Sequence, residues 1–422
     1  MTEPAPLREA ERADLQRRTL RVLVTGQIIG AAALAAAVTV GAFVIQDILG
    51  DDTPWGGIAT ATVTTGTAVM SHRLSRLMTR RGRRPGLQLG YLLAAVGAFI
   101  AAAGAETSVL PLFIVGLFLF GNGQASNLLA RYAATDLASP DARARAMSRI
   151  VFSSTFGAVF GPLLIQPAQN AGEAWFGFGR YTGPWIFSGV VLLVAFVNVA
   201  VRLRPDPLVV SGGIAPRSEG RLPSIRAALA IAGGTPRGRL ALTSMVVSQA
   251  AMVAVMTMTP VHMKLHGHET LSQYVVSLHI AGMFAFSPLV GRYVDRRGTL
   301  QAVWVGSVIL VASTILAALS GTGHLMLFPS LWLLGVGWNF GLIGGSAMLL
   351  ESVSESDRVT VQGSADLLMS LCGGVAGLSS GFVRRAVGYH MLSNAATLAG
   401  IALLVAAYWA RQHGARRPVV AG

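Results

Sequence analysis

The sequence predicts an all-α polytopic membrane protein, with twelve transmembrane helices in two pseudo-symmetric six-helix bundles. Three observations lead to this fold class: the composition, the number of long apolar runs, and motifs that recur in the second half. Of the 422 residues, 53% are hydrophobic and 12% are charged, and the mean hydropathy is +0.58. Such a chain is too apolar for a water-soluble domain and long enough to cross a bilayer many times.

Apolar runs of about 20 residues have the length that a helix needs to cross a bilayer. Six such runs precede a linker at 204–239 that is rich in proline, glycine and arginine, and six follow it. We therefore expect a tail at 1–19, a first bundle at 20–203, a second bundle at 240–411 and a tail at 412–422. The predicted spans are residues 20–46, 54–74, 86–106, 109–131, 147–168, 182–202, 240–264, 270–291, 299–320, 325–350, 361–383 and 390–411.

The net charge of +14 follows the predicted topology. With a cytoplasmic N-terminus, the outer loops contain only four of the 33 lysines and arginines, namely Arg180, Lys264, Arg384 and Arg385. Basic residues collect on the cytoplasmic side of membrane proteins. The charge therefore indicates a multi-pass protein of the bacterial inner membrane, surrounded by the lipid bilayer, with both termini in the cytoplasm. We do not expect the protein to bind nucleic acid.

Several kinds of chemistry have no support in the sequence. The single cysteine, Cys372, excludes an internal disulfide and a thiolate cluster. No Gly-x-x-x-x-Gly-Lys-Ser/Thr loop is present, so ATP is not expected to drive the protein. We expect no enzymatic activity and no cofactor, and we expect a monomer.

Two glycine motifs recur at nearly the same sequence separation. A basic loop containing Arg80 and Gly82 follows span 2, and the loop Gly291-x-x-x-Asp295-Arg296-x-Gly298 follows span 8. Gly121-x-Gly123 in span 4 has its counterpart in Gly335-x-Gly337 in span 10. The recurrence predicts a duplicated six-helix unit with parallel repeats.

The loop from Gly291 to Gly298 resembles the signature loop of the major facilitator superfamily, and the resemblance covers nearly the whole chain. It implies a secondary transporter that works by alternating access. The first-half copy differs, with Ser75 in the glycine position and Thr79 in the aspartate position. We expect Asp295 to lie near a helix N-terminus and pair with a neighbouring arginine, which would hold one gate state. The predicted gating residues are Asp295, Arg296, Gly291, Gly298, Arg80 and Gly82.

Methionine and histidine are concentrated between residues 252 and 283. Met252 and Met256 share a face of span 7, and His279 and Met283 share a face of span 8. At about 1.5 Å per residue the two pairs reach matching depths. The spacing therefore permits a neutral thioether and imidazole site near mid-membrane, which favours Cu(I). Five residues towards the outer end would collect the ion: Met258, His262, Met263, His266 and His268.

The pattern Met-x-x-x-Met in span 7 followed by His-x-x-x-Met in span 8 resembles the CcoA-like copper importers, a branch of the same superfamily. This resemblance implies copper uptake across the inner membrane for cuproenzyme assembly. Copper would be the transported substrate and not a cofactor.

Other interpretations remain open. Methionine is a flexible filler of apolar packing, so the same residues could form the cavity wall of a proton-coupled transporter of a small organic compound or drug. His279 or Asp366 would then titrate, since ionisable groups inside a membrane are costly and usually functional. A receptor that binds without transporting is a third possibility. The sequence leaves the substrate, the coupling ion and the direction of transport undecided.

Overall fold

The computed structural model describes residues 9–49, 58–213 and 224–414. Within these ranges the chain is helical, and no strand is present. Residues 1–8 and 415–422 of the predicted tails and residues 214–223 of the predicted linker lie outside the described residues. The helices are α1 (Glu9–Leu49), α2 (Ile58–Arg81), α3 (Arg83–Glu106), α4 (Leu110–Ala133), α5 (Arg143–Leu163), α6 (Ile165–Phe176), α7 (Thr182–Arg202), α8 (Pro207–Val210), α9 (Ile225–Ala232), α10 (Pro236–Leu265), α11 (Glu269–Phe284), α12 (Ser287–Arg297), α13 (Thr299–Ala318), α14 (Leu327–Ser352), α15 (Arg358–Val387) and α16 (Tyr389–Gly414).

The twelve predicted spans correspond to these helices, but two of them are interrupted. Span 5 is divided into α5 and α6 at Leu164, and span 8 into α11 and α12 at Ala285 and Phe286. The length of the apolar runs did not predict these interruptions. For span 8 the reason is Pro288 in the first turn of α12, because proline lacks the N–H that a continuous helix would need.

Length and composition make nine helical stretches of the described residues capable of crossing a membrane. α14 is the most enclosed of these stretches, since 94% of its apolar segment is buried inside the protein. α2 does not reach the same hydropathy because it is rich in threonine and arginine. α1, α2 and α5 join the other spans through their packing.

The two halves of the chain pack in the same way. In the first half, α3 packs on α4 and α7, α1 on α5 and α7, and α2 on α4. In the second half, α13 packs on α14 and α16, α10 on α15 and α16, and α11 on α14. These pairs correspond one to one, so the predicted fold class with two pseudo-symmetric bundles is confirmed.

The repeated glycines explain why two equivalent helix pairs approach so closely. A Cβ at Gly121 of α4 would collide with the Val63 carbonyl oxygen of α2. A Cβ at Gly335 of α14 would collide with the His279 carbonyl oxygen of α11. The glycine repeat in the sequence is therefore a repeat of backbone-to-backbone packing.

The bundles contact each other along two equivalent seams. α2 packs against α15 along the first seam, and α5 packs against α12 and α11 along the second. We call the end of the molecule where α2 ends at Arg81 and α12 ends at Arg297 the basic end. The main cavity lies between the bundles, bounded by both seams.

Candidate functional site

A cavity of about 490 Å³ lies between the two bundles. α1, α2, α4 and α5 line it from the first bundle, and α10, α11, α14 and α15 line it from the second. Its surface is mostly apolar, with aromatic and methionine side chains on the second bundle. Besides hydroxyl groups, its polar groups include four side-chain amides and one guanidinium: Gln27, Gln124, Asn127, Gln249 and Arg131.

Hydrogen bonds fix the orientation of several of these amides. The Trp338 indole N–H donates to Gln249 Oε1 at 2.6 Å. Tyr91 donates from its hydroxyl to Asn127 Oδ1 at 2.9 Å, and Gln27 donates from Nε2 to Ser154 Oγ at 2.8 Å. Gln27 Oε1 is buried and has no hydrogen-bond partner among the described atoms. The cavity therefore presents orientated amide groups in a mostly apolar wall, the arrangement expected for an organic ligand.

A buried ion pair closes the cavity at the basic end. Arg131 of α4 donates from Nη2 to Asp366 Oδ1 of α15 at 2.5 Å, and both side chains are almost fully buried. Tyr132 and Ser346 are hydrogen-bond partners of the same guanidinium. Such a pair is stable only while both charges are present, because an isolated buried charge is very costly. Arg131 and Asp366 thus join the two bundles through mutual neutralisation.

The contacts between described residues across the α2–α15 seam include no ion pair. His72 Nδ1 lies 2.8 Å from Ser364 Oγ, and Thr79 Oγ1 lies 3.3 Å from Thr360 Oγ1. Ser75, which replaces the signature glycine, packs against Gly363, where a Cβ would collide with it. The departure from the signature loop in the first half therefore coincides with an uncharged contact between the bundles.

The α5–α12 seam is charged. Asp295 accepts hydrogen bonds from the backbone N–H groups of Ala144 and Arg145 at 3.1 and 3.0 Å, and from Arg145 Nε at 2.7 Å. The carboxylate therefore lies at the N-terminus of α5, where the helix dipole favours a negative charge. Gly291 allows the close approach, since a Cβ there would collide with Ser148.

The other predicted gating residues lie at turns or on the surface. Gly82 and Gly298 have φ angles of 96° and 87°, a conformation that favours glycine. Arg80 and Arg296 are exposed, and neither makes an ion pair with the part of the chain that the structure describes. Asp366, which the sequence singles out as a titratable group, pairs with Arg131.

The four predicted copper ligands do not all reach the cavity. Met252 and Met283 line it, whereas Met256 and His279 do not. His279 is fully buried, and its Nδ1 donates to the Leu331 carbonyl oxygen of α14 at 2.8 Å. The backbone of His279 also lies against Gly335 of α14. Helix spacing predicts a shared face but not which neighbour that face meets.

The five predicted accessory residues lie at the far end of the second bundle. Met258 and Met263 pack in its core, and His262 stacks on Tyr389 with ring centroids 4.4 Å apart. His266 Nδ1 lies 2.7 Å from the His262 carbonyl oxygen, and His268 lies 3.4 Å from a nitrogen of His324. Among the described residues, no group of three or more His, Cys, Asp or Glu could hold a metal ion. The copper site stays a prediction.

Arg131, Arg145 and Gln249 were not predicted as site residues. Arg131 ends predicted span 4, and we counted it among the basic residues of the cytoplasmic side. Its position at the end of an apolar run, in a helix that is otherwise uncharged from Leu110, was the available signal. Its partner lies 235 residues away in the sequence, so spacing gives no indication of the pair.

Comparison with known proteins gives consistent matches. The profile described as Major Facilitator Superfamily matches residues 23–378. The chain is 38% identical over 402 residues to the Uncharacterized MFS-type transporter YdeG of Bacillus subtilis (strain 168), covering 94% of this chain and 93% of that protein. It is 30% identical over 361 residues to the Riboflavin transporter RfnT of Brucella anthropi, covering 85% and 86%. The crystal structure of the human organic anion transporter MFSD10 (TETRAN) matches with a TM-score of 0.75 at 16% identity, covering 93% of this chain and 99% of that chain, which shows the fold alone.

Proposed function

The chain belongs to the major facilitator superfamily, and we propose that it carries a small organic compound with a flat, hydrogen-bonding ring system, of the riboflavin class. The family makes it a transporter and not an enzyme. We propose further that it lies in the bacterial inner membrane with its basic end in the cytoplasm, as the distribution of lysine and arginine favours.

The lining of the main cavity is the observation that carries this proposal. A volume of about 490 Å³ lies within the range of sites for drug-sized ligands. Trp338 and Phe284 form an edge-to-face aromatic pair with centroids 5.9 Å apart on one wall. Gln249 and Gln27 offer amide groups that match the edge of a heterocycle, and methionine adapts to an aromatic face.

The relatives support the same class of substrate. RfnT, which is 30% identical to this chain, is named a riboflavin transporter. The relatives named above give the resemblance to the CcoA-like copper importers no support. An organic substrate also agrees with a cavity in which His279, the strongest of the predicted metal ligands, is absent from the lining.

Transport then requires the basic end to open beneath the bound compound. Arg131 belongs to the cavity lining and to the ion pair with Asp366, so a ligand that contacts Arg131 competes with the contact that holds the bundles together. Protonation of Asp366 would have the same effect, because it removes the charge that neutralises Arg131. Asp366 is therefore the proposed site of proton coupling.

Uptake by proteoliposomes tests the proposed substrate. We expect time-dependent accumulation of riboflavin, followed by its fluorescence, and no accumulation of radioactive copper. Gln249→Leu removes a cavity amide and should weaken apparent affinity about tenfold, the value of one lost hydrogen bond to a ligand. Gln412→Leu, on the exposed surface of α16, is the matched control and should leave affinity unchanged. Copper uptake without uptake of any flavin-like compound would overturn the proposal.

His279→Phe separates the two substrate classes in the same assay. The variant removes the imidazole but keeps a ring in the α11–α14 contact. Riboflavin uptake should persist, because His279 does not line the cavity. A copper carrier that uses His279 as a ligand would lose uptake.

A further inference from the structure

A second, smaller cavity lies between the bundles at the basic end and has a volume of about 220 Å³. Its lining is polar, and the ends of α3, α5, α14 and α15 contribute to it. Six charged side chains define it, four of them basic: Arg12, Arg83, Arg143, Arg358, Asp136 and Glu355.

Two of the four arginine charges are neutralised within the cavity wall. Arg83 makes two parallel hydrogen bonds with Asp136, at 2.8 and 2.9 Å. Arg358 pairs with Glu355 at 2.7 Å. These two pairs account for both carboxylates that line the cavity.

The remaining two arginines have no carboxylate of their own in the part of the protein that the structure describes. Arg12 donates from Nε to the Leu137 carbonyl oxygen, which is uncharged. Arg143 is half-buried and makes no ion pair with a described residue. The cavity therefore holds an excess of two positive charges.

The surroundings of Arg143 make this excess costly. Burial and the neighbouring Arg358 charge lower the pKa of Arg143, and the more weakly acting carboxylates of Glu355 and Glu351 offset only part of this shift. A partly buried guanidinium next to a like charge is stabilised by an anion that contacts both. A dianion would cancel the two excess charges.

The size of the cavity and the type of its side chains indicate which anion fits. About 220 Å³ is below the range for drug-sized ligands but sufficient for a phosphate group. Arginine binds phosphate oxygens through paired, charge-assisted hydrogen bonds. Gln362 adds a neutral amide to the wall.

We propose that this cavity binds a phosphate group and that its occupancy holds the basic end closed. Arg12, Arg83 and Arg143 belong to the first bundle, and Arg358 belongs to the second. Separation of the bundles would divide the binding site, so the anion binds the closed state more tightly and shifts the equilibrium towards it. The inference depends on alternating access in this family and is independent of the transported compound.

Two sources could supply the phosphate group: a soluble phosphate in the cytoplasm, or the headgroup of an anionic lipid. Spin labels at Ser139→Cys and Ser356→Cys, in a Cys372→Ser background, report the distance between the bundles, since both serines are exposed at the basic end. In one arm, inorganic phosphate is added to the protein in phosphatidylcholine nanodiscs, with sodium chloride at equal ionic strength as control. In the other arm, phosphatidylglycerol replaces part of the lipid without added phosphate.

We expect phosphate, phosphatidylglycerol or both to enlarge the population with the short distance. Arg143→Gln should raise the phosphate or phosphatidylglycerol concentration that gives half of this response about tenfold or more, because the variant loses a charge-assisted contact. Arg12→Gln, at an exposed position, should also weaken the response to the anion. This variant replaces Arg143→Gln in the test if Arg143→Gln does not give a monodisperse protein. Arg149→Gln is the control: it removes an exposed charge from α5, the helix of Arg143, at a position outside the cavity. This variant should respond like the parent protein. No response in either arm, an equal response to sodium chloride, or an undiminished response in both cavity variants would overturn the proposal.

Discussion

At the scale of single residues, Arg131 and Asp366 form a buried ion pair that joins the two bundles. Both are buried, and the described atoms leave Asp366 Oδ2 without a hydrogen-bond partner. The pair gains little stability over an apolar replacement, but loss of one partner leaves an uncompensated charge. The pair therefore connects the bundles only while both side chains are charged.

Asp366→Asn should destabilise the purified protein by about 3–5 kcal/mol, because Arg131 then remains buried without a counter-charge. Thermal unfolding in detergent, followed by tryptophan fluorescence, measures the change. Combining Asp366→Asn with Arg131→Gln should recover most of the loss. Asp47→Asn, an exposed carboxylate on α1, is the control and should have little effect. A double variant no more stable than the single one would contradict this account of the pair.

Residue identity also explains which part of the site the sequence could predict. Met252 and Met283 line the cavity, and each is one member of a pair that four-residue spacing placed on a shared helix face. His279 shares its helix with Met283 but packs on α14. Periodicity gives the face of a helix, whereas the neighbour of that face depends on the packing of the whole bundle.

At the scale of helices, glycine sets the separation of α11 and α14. Gly335 of α14 lies against the backbone of His279 and Met283, and Gly282 of α11 lies against the backbone of Trp332. Contact of this kind leaves no space for a side chain. The two helices therefore pack as a unit that holds one wall of the cavity.

Gly335→Ala should lower the apparent melting temperature, because its Cβ would collide with backbone atoms that cannot rotate away. Overpacking of this kind costs about 1–3 kcal/mol. Gly381→Ala on α15 is the matched control, since a Cβ there meets no atom within 4 Å. It should leave stability unchanged or raise it, because alanine favours a helix over glycine. Equal effects of the two substitutions would rule out the proposed close contact.

At the scale of the whole molecule, the proposed transport cycle requires the seams at the basic end to separate. The α2–α15 seam brings Thr79 and Thr360 together at the same end as the Arg131–Asp366 pair. A covalent link at that point would prevent the bundles from separating there without touching the cavity.

Thr79→Cys with Thr360→Cys, in a Cys372→Ser background, should form a disulfide on oxidation, because the two hydroxyl oxygens are 3.3 Å apart. Uptake by proteoliposomes should stop after oxidation and return after reduction. Each single-cysteine variant should keep its uptake under oxidising conditions. Full transport by the cross-linked protein would show that this seam does not open.

The fold could be predicted from the sequence to a greater extent than the site. Long apolar runs and recurring glycine loops are local patterns, and together they identify twelve spans and a duplication. The contacts between the bundles are not local: Arg131 with Asp366, and Arg145 with Asp295, each join residues far apart in the sequence. Pro288, which follows the interruption of span 8, is visible in the sequence, but hydropathy alone does not show the interruption.

The two seams between the bundles should respond differently to salt concentration, because one contains an exposed ion pair and the other does not. Asp295 is held by Arg145, whose side chain is 47% exposed, so dissolved salt screens that attraction over a Debye length of about 8 Å. The α2–α15 seam relies on hydroxyl and imidazole contacts, and the Arg131–Asp366 pair is shielded from solvent. Rising ionic strength would therefore loosen one side of the interface more than the other, so that separation begins at α5 and α12.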